Sequence, residues 1–199
     1  MGKLKITWHG HSCFTLEEGG YSIVLDPFAD GAVPGFGNLR LEADQVLCSH
    51  EHSDHNYREG VKRSGKETKL HIERIETFHD EKQGALRGPN TIHVLEAEGL
   101  RVAHLGDLGH MLSDEQIAAL GRVDILLIPV GGYFTIGPDV AAELAERLQP
   151  AITVPMHYRG AGFGYEVIGP VEDFLCRRDK VLRLETNVLR PEELETPVH

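Results

Sequence analysis

Basic residues are few in this 199-residue chain: 20 lysines and arginines stand against 31 aspartates and glutamates, for a formal charge of −11. A protein that binds a nucleic-acid backbone needs a basic surface. An anionic membrane surface would repel a chain of this charge. The composition therefore predicts a protein whose partner is neither nucleic acid nor a membrane.

Cysteine is also scarce, with Cys13, Cys48 and Cys176 making up the whole set. An odd, widely spaced set does not indicate a disulfide framework, and no pair has the close spacing of a zinc knuckle. We expect three buried free thiols in a reducing cytoplasm.

Long apolar runs are missing as well. The first residues, MGKLKITWHGHSCF, lack the apolar segment of a signal peptide, and no stretch reaches the length that spans a bilayer. We therefore expect a cytoplasmic protein. The length favours one well-cored domain over residues 1–199.

The run HEHSDH at residues 50–55 brings four possible metal ligands, three imidazoles and the Asp54 carboxylate, into six positions. Burying such groups costs free energy unless something pairs with them, and a divalent metal pairs with all of them. His50, His52 and Asp54 share parity, so an extended segment would point them the same way. One ion seldom takes four side chains from so short a segment, which favours two ions. The alternative is a solvated loop that happens to be rich in histidine.

Strand patterns dominate the first half of the chain. They predict strands over residues 5–16, 21–28, 45–49, 68–78, 91–96 and 100–105, with a loop or flap over 29–43. The hairpin over residues 91–109 echoes the first one, since each has an acidic-glycine turn and delivers an aspartate, Asp26 or Asp107, near a strand end. This similarity suggests an internal pseudo-repeat.

The second half shows clearer helix signals. Ser113 and Gln116 form a capping-box pattern, and a second helix is expected from Pro138 to a stop before Pro150. Strands are predicted over 124–129, 151–155 and 181–184, with a short helix over 171–176. We expect the tail from Pro191 to be frayed.

Three further metal-ligating side chains follow predicted strands. His79, Asp107 and His157 each come directly after an apolar run. Any one of them alone would more often be a cap or a buried structural residue. Their shared position at strand ends makes them candidates for the same site as residues 50–55.

With these residues in order, the chain resembles the metallo-β-lactamase-fold family, whose signature is His-x-His-x-Asp-His followed by a separate His, a Gly-Asp segment and a final His. Segments 8–14, 26–28, 131–133 and 155–158 are similar to the small branch that contains ascorbate-6-phosphate lactonase. The resemblance implies an α+β fold, a four-layer αββα sandwich of two sheets with helices outside.

The resemblance also assigns ligands by position. Metal one would take His50, His52 and His79, and metal two would take Asp54, His55 and His157. Asp107 would bridge the two ions, and Asp26 would orient a ligand histidine. The cofactors would be two divalent metal ions, with zinc the first expectation and manganese or iron as alternatives.

The chemistry implied is hydrolysis. A water shared by two cations is largely hydroxide near neutrality and attacks a carbonyl or phosphoryl centre. The function expected is a metal-dependent hydrolase of a small ester, lactone or phosphodiester, with an anionic small-molecule substrate as one option. Asp54, Asp107 and His11 are the candidate catalytic residues, with His11 a substrate contact or proton donor.

Alternatives stay open at this point. The same scaffold also suits an iron-dependent oxidoreductase or a non-catalytic metal-binding protein. The roles of His9, His110, Arg87 and Arg159 are open, and so are the substrate and a homo-oligomeric state.

Overall fold

The computed structural model describes residues 3–66 and 70–194. Its strands are β1 (Lys5–Gly10), β2 (Cys13–Glu18), β3 (Tyr21–Leu25), β4 (Leu41–Ala43), β5 (Gln45–Leu47), β6 (Val61–Arg63), β7 (His71–Phe78), β8 (Pro89–Ala97), β9 (Leu100–His104), β10 (Ile125–Pro129), β11 (Ile152–Met156) and β12 (Val188–Leu189). The helices are α1 (Asp114–Leu120), α2 (Pro138–Leu148) and α3 (Glu172–Leu175), with short 3-10 turns at Arg58–Gly60 and Pro191–Glu193.

Two five-stranded sheets form the framework. The first has the strand order β12-β1-β2-β3-β5 and the second β11-β10-β9-β8-β7, while β4 and β6 form a small parallel pair. In each large sheet an antiparallel hairpin, β2–β3 or β8–β9, continues into a parallel neighbour, β5 or β10. This shared order agrees with the pseudo-repeat suggested by the two acidic-glycine turns.

The main core lies between the two sheets. Apolar residues of β2 and β3, such as Leu16 and Ile23, are buried in one cluster with Val102 and Leu127 of the second sheet. Strand β10 is buried throughout, because its alternate residues face this core and the helices on the other side.

Different layers cover the outer faces. Residues of all three helices pack on the outer face of the second sheet, and Leu144 of α2 and Phe174 of α3 are buried there. On the first sheet, Val24 is buried under Phe28, which precedes the flap over residues 29–43, and under Val33 and Leu39 of the flap itself. The flap is therefore part of the core on that side.

Both long-helix predictions are confirmed. Ser113 Oγ accepts from the Gln116 backbone, and the Gln116 side chain accepts from the Ser113 backbone N–H, which closes the capping box. Helix α2 begins at Pro138 and ends at Leu148, before Pro150. In the part of the chain that the structure describes, no helix has both the length and the apolar character needed to cross a membrane.

The prediction of one strand over residues 5–16 is wrong. The chain turns at His11 and Ser12, between β1 and β2, after a register shift between Trp8 and Gly10. Gly10 has φ 114° and His11 has φ 52°, so the backbone here is left-handed. The apolar residues on the two sides of the turn keep the same parity, which hides it, and the run HGHS at residues 9–12, without an apolar side chain, is the sequence signal of a break.

Four other expectations need correction or lie partly outside the described residues. Residues 181–184 form no strand, and the chain pairs with β1 later, at Val188–Leu189. Cys13 is buried as expected, but Cys48 is half-buried and Cys176 is exposed, and all three thiols are free. Residues 68–69 of the predicted strand 68–78 lie outside the described part. The tail is not frayed from Pro191, because Pro191–Glu193 form a 3-10 turn and Leu194 packs against the core, and residues 195–199 lie outside the described part.

Candidate metal centre

The ends of several strands meet at one edge of the sandwich. Asp26 follows β3, His79 follows β7, Asp107 lies just beyond β9 and His157 follows β11. The segment 50–55 lies in the loop after β5. The sequence prediction that these side chains share strand-end positions is confirmed.

Residues 50–55 are not extended, so the shared parity of His50, His52 and Asp54 does not place them on one face. The segment bends and turns, and the His55 N–H donates to the His52 carbonyl over 2.9 Å. The turn divides the run between two groups of side chains instead of placing its members on one face.

The two groups each bring their ligand atoms within 4.8 Å of one another. One group contains His50, His52 and His79, and the other contains His11, Asp54, His55 and His157. These are the sets that the resemblance implied for two metals, with His11 added to the second. Six of the seven side chains come from the predicted ligands.

Asp107 lies between the two groups. Its Oδ2 atom is 3.2 Å from Nε2 of His55, His79 and His157 and 3.9 Å from Nε2 of His50. Burial alone would raise the pKa of this carboxyl, but the imidazoles of His157 and His55 hold the pKa well below its usual range. The carboxylate is thus ionised and central to both groups.

Several atoms at this centre are buried without hydrogen-bond partners. Among the described residues these include Nε2 of His50, His55 and His157 and Oδ1 of Asp107. Buried polar groups without partners are costly, so native proteins pair nearly all of them. Neutral imidazole nitrogens and carboxylate oxygens are suitable donors for zinc, manganese or iron. The residues present therefore fit a metal-binding cluster.

Asp26 orients His55 through the ring nitrogen that faces away from Asp107. It is fully buried, and its carboxylate accepts hydrogen bonds from Ser49 N at 2.7 Å and Ser49 Oγ at 2.6 Å. Its Oδ2 atom lies 2.8 Å from His55 Nδ1, so the other ring nitrogen of His55 faces Asp107. Burial would raise the pKa of Asp26, but His104 and the bond with His55 lower it below its usual range.

Hydrogen bonds from the Asn90 side chain fix the loop that carries Asp107. Asn90 Oδ1 accepts from the Asp107 N–H at 2.9 Å, while Asn90 Nδ2 donates to the Leu105 carbonyl at 3.0 Å. A Cβ atom on Gly106, which has φ 56°, would lie 2.4 Å from Asn90 Oδ1 and Ser49 Cβ. Only glycine lets this loop approach the segment that carries the histidines.

His11 lies deep in the second group. Its side chain is 0% exposed, its Nε2 atom is 3.3 Å from Asp54 Oδ2 and its ring centre is 4.0 Å from that of His157. Burial lowers the pKa of His11 to about 3, assisted by the charge of His157. The sequence analysis expected His11 near the site but within a strand. It lies instead in the turn at residues 10–12, which directs its side chain into the second group.

The rim contains residues that the sequence analysis did not single out. Tyr165 Oη donates to the Ala32 carbonyl at 2.8 Å and lies 3.3 Å from Asp54 Oδ2. The Phe134 ring lies 5.8 Å from the Tyr165 ring and 6.5 Å from that of His157. No motif marks these aromatic residues, because contacts between loops far apart in sequence place them.

Arg87 reaches the same rim. Its Nη2 atom donates to the Tyr133 carbonyl at 3.1 Å, and its guanidinium lies 5.7 Å from the centre of the Phe134 ring. The loop behind it is organised by Asp80, which was also missed. The Asp80 carboxylate accepts from four backbone N–H groups of the loop, those of Lys82, Gly84, Leu86 and Arg87.

Other candidates from the sequence face elsewhere. His9 Nε2 bonds Thr15 Oγ1 at 2.7 Å, and His104 Nε2 bonds the Ser12 carbonyl at 2.9 Å. Both ring nitrogens of His110 are engaged by backbone groups, those of Phe78 and Met111. Arg159 donates to the Ile168 carbonyl at 2.7 Å and so supports its own loop.

Comparison with known proteins agrees with this architecture. The family model described as "Beta-lactamase superfamily domain" matches residues 5–157. A UPF0173 metal-dependent hydrolase of Thermoplasma acidophilum is 30% identical, with 79% of this chain and 84% of that protein aligned.

Two solved structures extend the comparison. A Thermotoga maritima protein assigned as a Zn-dependent hydrolase of the metallo-β-lactamase superfamily is 40% identical, with a TM-score of 0.76 over 98% of this chain and 94% of that one. A protein of Parabacteroides distasonis, at 22% identity and a TM-score of 0.67, covers 87% of each chain and shows the fold alone. The expected α+β sandwich is confirmed, and the chain belongs to the UPF0173 metal-dependent hydrolase family of the metallo-β-lactamase superfamily.

Proposed function

We propose that this enzyme hydrolyses a small ester, lactone or phosphodiester with the help of two divalent metal ions. One observation carries the proposal: a single atom, Asp107 Oδ2, lies 3.2 Å from Nε2 of His79 in one group and of His55 and His157 in the other. A carboxylate in that position is suited to bridging two ions. His50, His52 and His79 would hold the first ion, and Asp54, His55 and His157 the second.

When bound, the two ions would supply a hydroxide from a shared water and polarise the substrate oxygen. The chain's own residues prepare that chemistry. Asp26 fixes the tautomer and orientation of His55 by bonding its Nδ1 atom, and Ser49 fixes Asp26 in turn. Such outer contacts keep the ligand atoms in place before substrate arrives.

The rim favours a substrate with a negative charge. Arg87 projects a guanidinium beside Phe134, and Tyr133 O is its one hydrogen-bond acceptor among the described residues. The remaining N–H groups can bind a carboxylate or phosphate with two parallel hydrogen bonds. An anionic ester, lactone or phosphodiester is therefore the substrate class we propose.

The test is an activity screen with the metal content defined. Protein stripped of metal is reloaded separately with Zn(II), Mn(II) or Fe(II) and offered anionic and neutral esters, lactones and phosphodiesters. We expect turnover of at least one anionic class that chelator removes and metal restores. Asp107→Ala should abolish it, whereas Asp30→Ala, an exposed carboxylate paired with Arg40, should not.

Two results would count against the proposal. One is the absence of hydrolysis in every metal-loaded form. The other is stoichiometric iron that consumes oxygen without hydrolysis, which would favour the oxidoreductase alternative instead. The cytoplasmic location stays a prediction from the sequence, and the oligomeric state stays open.

A further inference from the structure

The turn between β1 and β2 places one more imidazole in the second ligand group than the family signature requires. His11 lies within the 4.8 Å group formed with Asp54, His55 and His157. Neither of its ring nitrogens has a hydrogen-bond partner of acceptable geometry among the described residues. A structural histidine of a protein core bonds at least one ring nitrogen, as His104 does with the Ser12 carbonyl.

The backbone is strained where it presents this side chain. His11 has φ 52° and follows Gly10 at φ 114°. The turn is held from two sides, because the indole N–H of Trp8 donates to the His11 carbonyl at 3.0 Å and the His157 N–H donates to the same carbonyl at 3.3 Å. A non-glycine residue in this conformation is strained and persists only where its surroundings hold it there, often at a functional site.

The surroundings of His11 do not suit a substrate contact. The side chain is 0% exposed. The Tyr165 ring meets it edge to face with centres 5.6 Å apart, and the His157 ring lies on another side at 4.0 Å. A buried nitrogen that faces three other ligand side chains can reach an ion among them, but a substrate above the metals would not reach it.

We propose that His11 is a ligand of the second metal ion, together with Asp54, His55, His157 and the shared Asp107. The inference rests on the proposed two-metal function and extends it. Five protein donors exceed the four of a tetrahedral zinc site and leave room for water only at an ion that takes five or six ligands, such as Mn(II) or Fe(II). The first group, with three imidazoles and Asp107, keeps a zinc-like donor set. The two positions would therefore select different metals.

Metal titration of the whole protein tests this directly, without any substrate. Stripped wild type, His11→Gln and His9→Gln are titrated with Co(II) against a chelator while the visible spectrum is recorded. His9 is the matched control, since it lies two residues away and its Nε2 atom bonds Thr15. Circular dichroism checks that each variant is folded.

We expect wild type and His9→Gln to bind two ions per chain, with the weak absorption of five- or six-coordinate Co(II) from the second. In His11→Gln the second ion should bind at least about 10-fold more weakly, since a ligand is lost. The first ion should be unaffected. Retention of both ions at wild-type affinity with an unchanged spectrum would overturn the inference.

The outcomes separate this inference from the proposed function. Weaker binding of the second ion in His11→Gln together with no hydrolysis by wild type would keep the ligand role and refute the hydrolase proposal. If His11→Gln loses the hydrolysis that wild type shows but binds both ions as wild type does, the hydrolase proposal stands and the ligand role is refuted. Should His11→Gln fail to fold, a metal-loaded crystal structure of wild type decides the matter. A His11 ring nitrogen about 2.0–2.3 Å from the second ion supports the inference, and one beyond hydrogen-bond distance refutes it.

Discussion

Asp26 Oδ2 and His55 Nδ1 lie 2.8 Å apart, although 29 positions separate the two residues in the chain. Both side chains are 0% exposed. The contact joins the end of β3 to the turn that follows β5, and it aims His55 Nε2 at Asp107. It therefore links the packing of the first sheet to the geometry of the metal centre.

The first prediction concerns this contact. Asp26→Asn should weaken metal binding about 10- to 100-fold, which is the usual effect of removing a carboxylate behind a ligating histidine. The amide has a single acceptor oxygen, so it cannot accept from Ser49 N, Ser49 Oγ and His55 Nδ1 at once, as the two oxygens of the carboxylate do. Competition with a chromogenic chelator measures the change. Asp30→Asn, an exposed change four residues on, is the control, and equal affinities in the two variants would contradict the prediction.

The second prediction concerns charge at the rim. Arg87→Ala should raise KM for anionic substrates by about 10- to 100-fold, because a charge-assisted hydrogen bond is worth about 1.5–3 kcal/mol. Neutral substrates of the same reaction should change little, and Arg87→Lys should fall between because lysine lacks the planar fork. Steady-state kinetics on matched substrates tests this.

Lys82→Ala is the matched control for Arg87, since it removes an exposed cation from the same loop while its backbone N–H still bonds Asp80. An equal KM increase in both variants would mean that the loop's net charge matters and that Arg87 binds no substrate group.

The third prediction concerns the flap over residues 29–43. Gly35 has φ 80°, and a Cβ atom there would lie 2.0 Å from the Gly162 carbonyl oxygen. Gly35→Ala should therefore separate the flap from the loop at residues 160–165 and lower the free energy of unfolding by about 2 kcal/mol, from strain and overpacking together. Urea unfolding and limited proteolysis measure the two effects.

Gly37→Ala provides the comparison for the flap. A Cβ atom at Gly37 would meet no other atom within 4 Å, and its backbone is not left-handed. It should therefore leave stability and protease resistance unchanged. Equal behaviour of the two variants would show that the contact with Gly162 does not hold the flap.

The fourth prediction is a pH dependence away from the metal centre. Asp44 is buried and accepts from Ser22 N at 2.7 Å, from Ser22 Oγ at 3.2 Å and from Ser64 Oγ. The hydrogen bond from Ser64 outweighs the opposing effect of burial, so the pKa of Asp44 is lowered in the folded protein. A lowered pKa stabilises the fold above the unfolded value of about 3.9, and this contribution is lost as pH falls through the folded pKa.

Asp44→Asn should accordingly lower the free energy of unfolding by about 1–2 kcal/mol at pH 7. Its difference from wild type should shrink as the pH falls below about 4. Urea unfolding at both pH values measures it, with Asp139→Asn, an exposed carboxylate, as control. A difference that does not change with pH would mean that the charge of Asp44 contributes nothing.

Much of the site could be predicted from local sequence. The strand ends before His79, Asp107 and His157 are visible because apolar runs stop there, and residues 50–55 are chemically conspicuous wherever they lie. The run's own conformation was not predictable from parity. A turn closed between His52 and His55 splits the ligands, and the bond from Asp26 to His55 helps to fix that arrangement.

The turn at residues 10–12 could not be predicted from the local apolar pattern. Ile6, Trp8, Phe14 and Leu16 share parity on both sides of the turn, so a local pattern predicts one strand there. The backbone bends because Trp8, His157 and His104 all bond the turn, and the last two come from distant parts of the chain. His11 enters the ligand group only through that bend.

The sequence by itself determined the donor chemistry, the strand ends that carry it and the membership of the superfamily, because residue type and hydrophobic period are local properties. The family resemblance already implies how the donors divide and that Asp107 lies between the groups, and only the tertiary structure supplied the distances and added His11 to the second group. The tertiary structure also decided that Arg87, Phe134 and Tyr165 form the rim. Those are distances between segments far apart in the chain, and they are set by the packing of the two sheets.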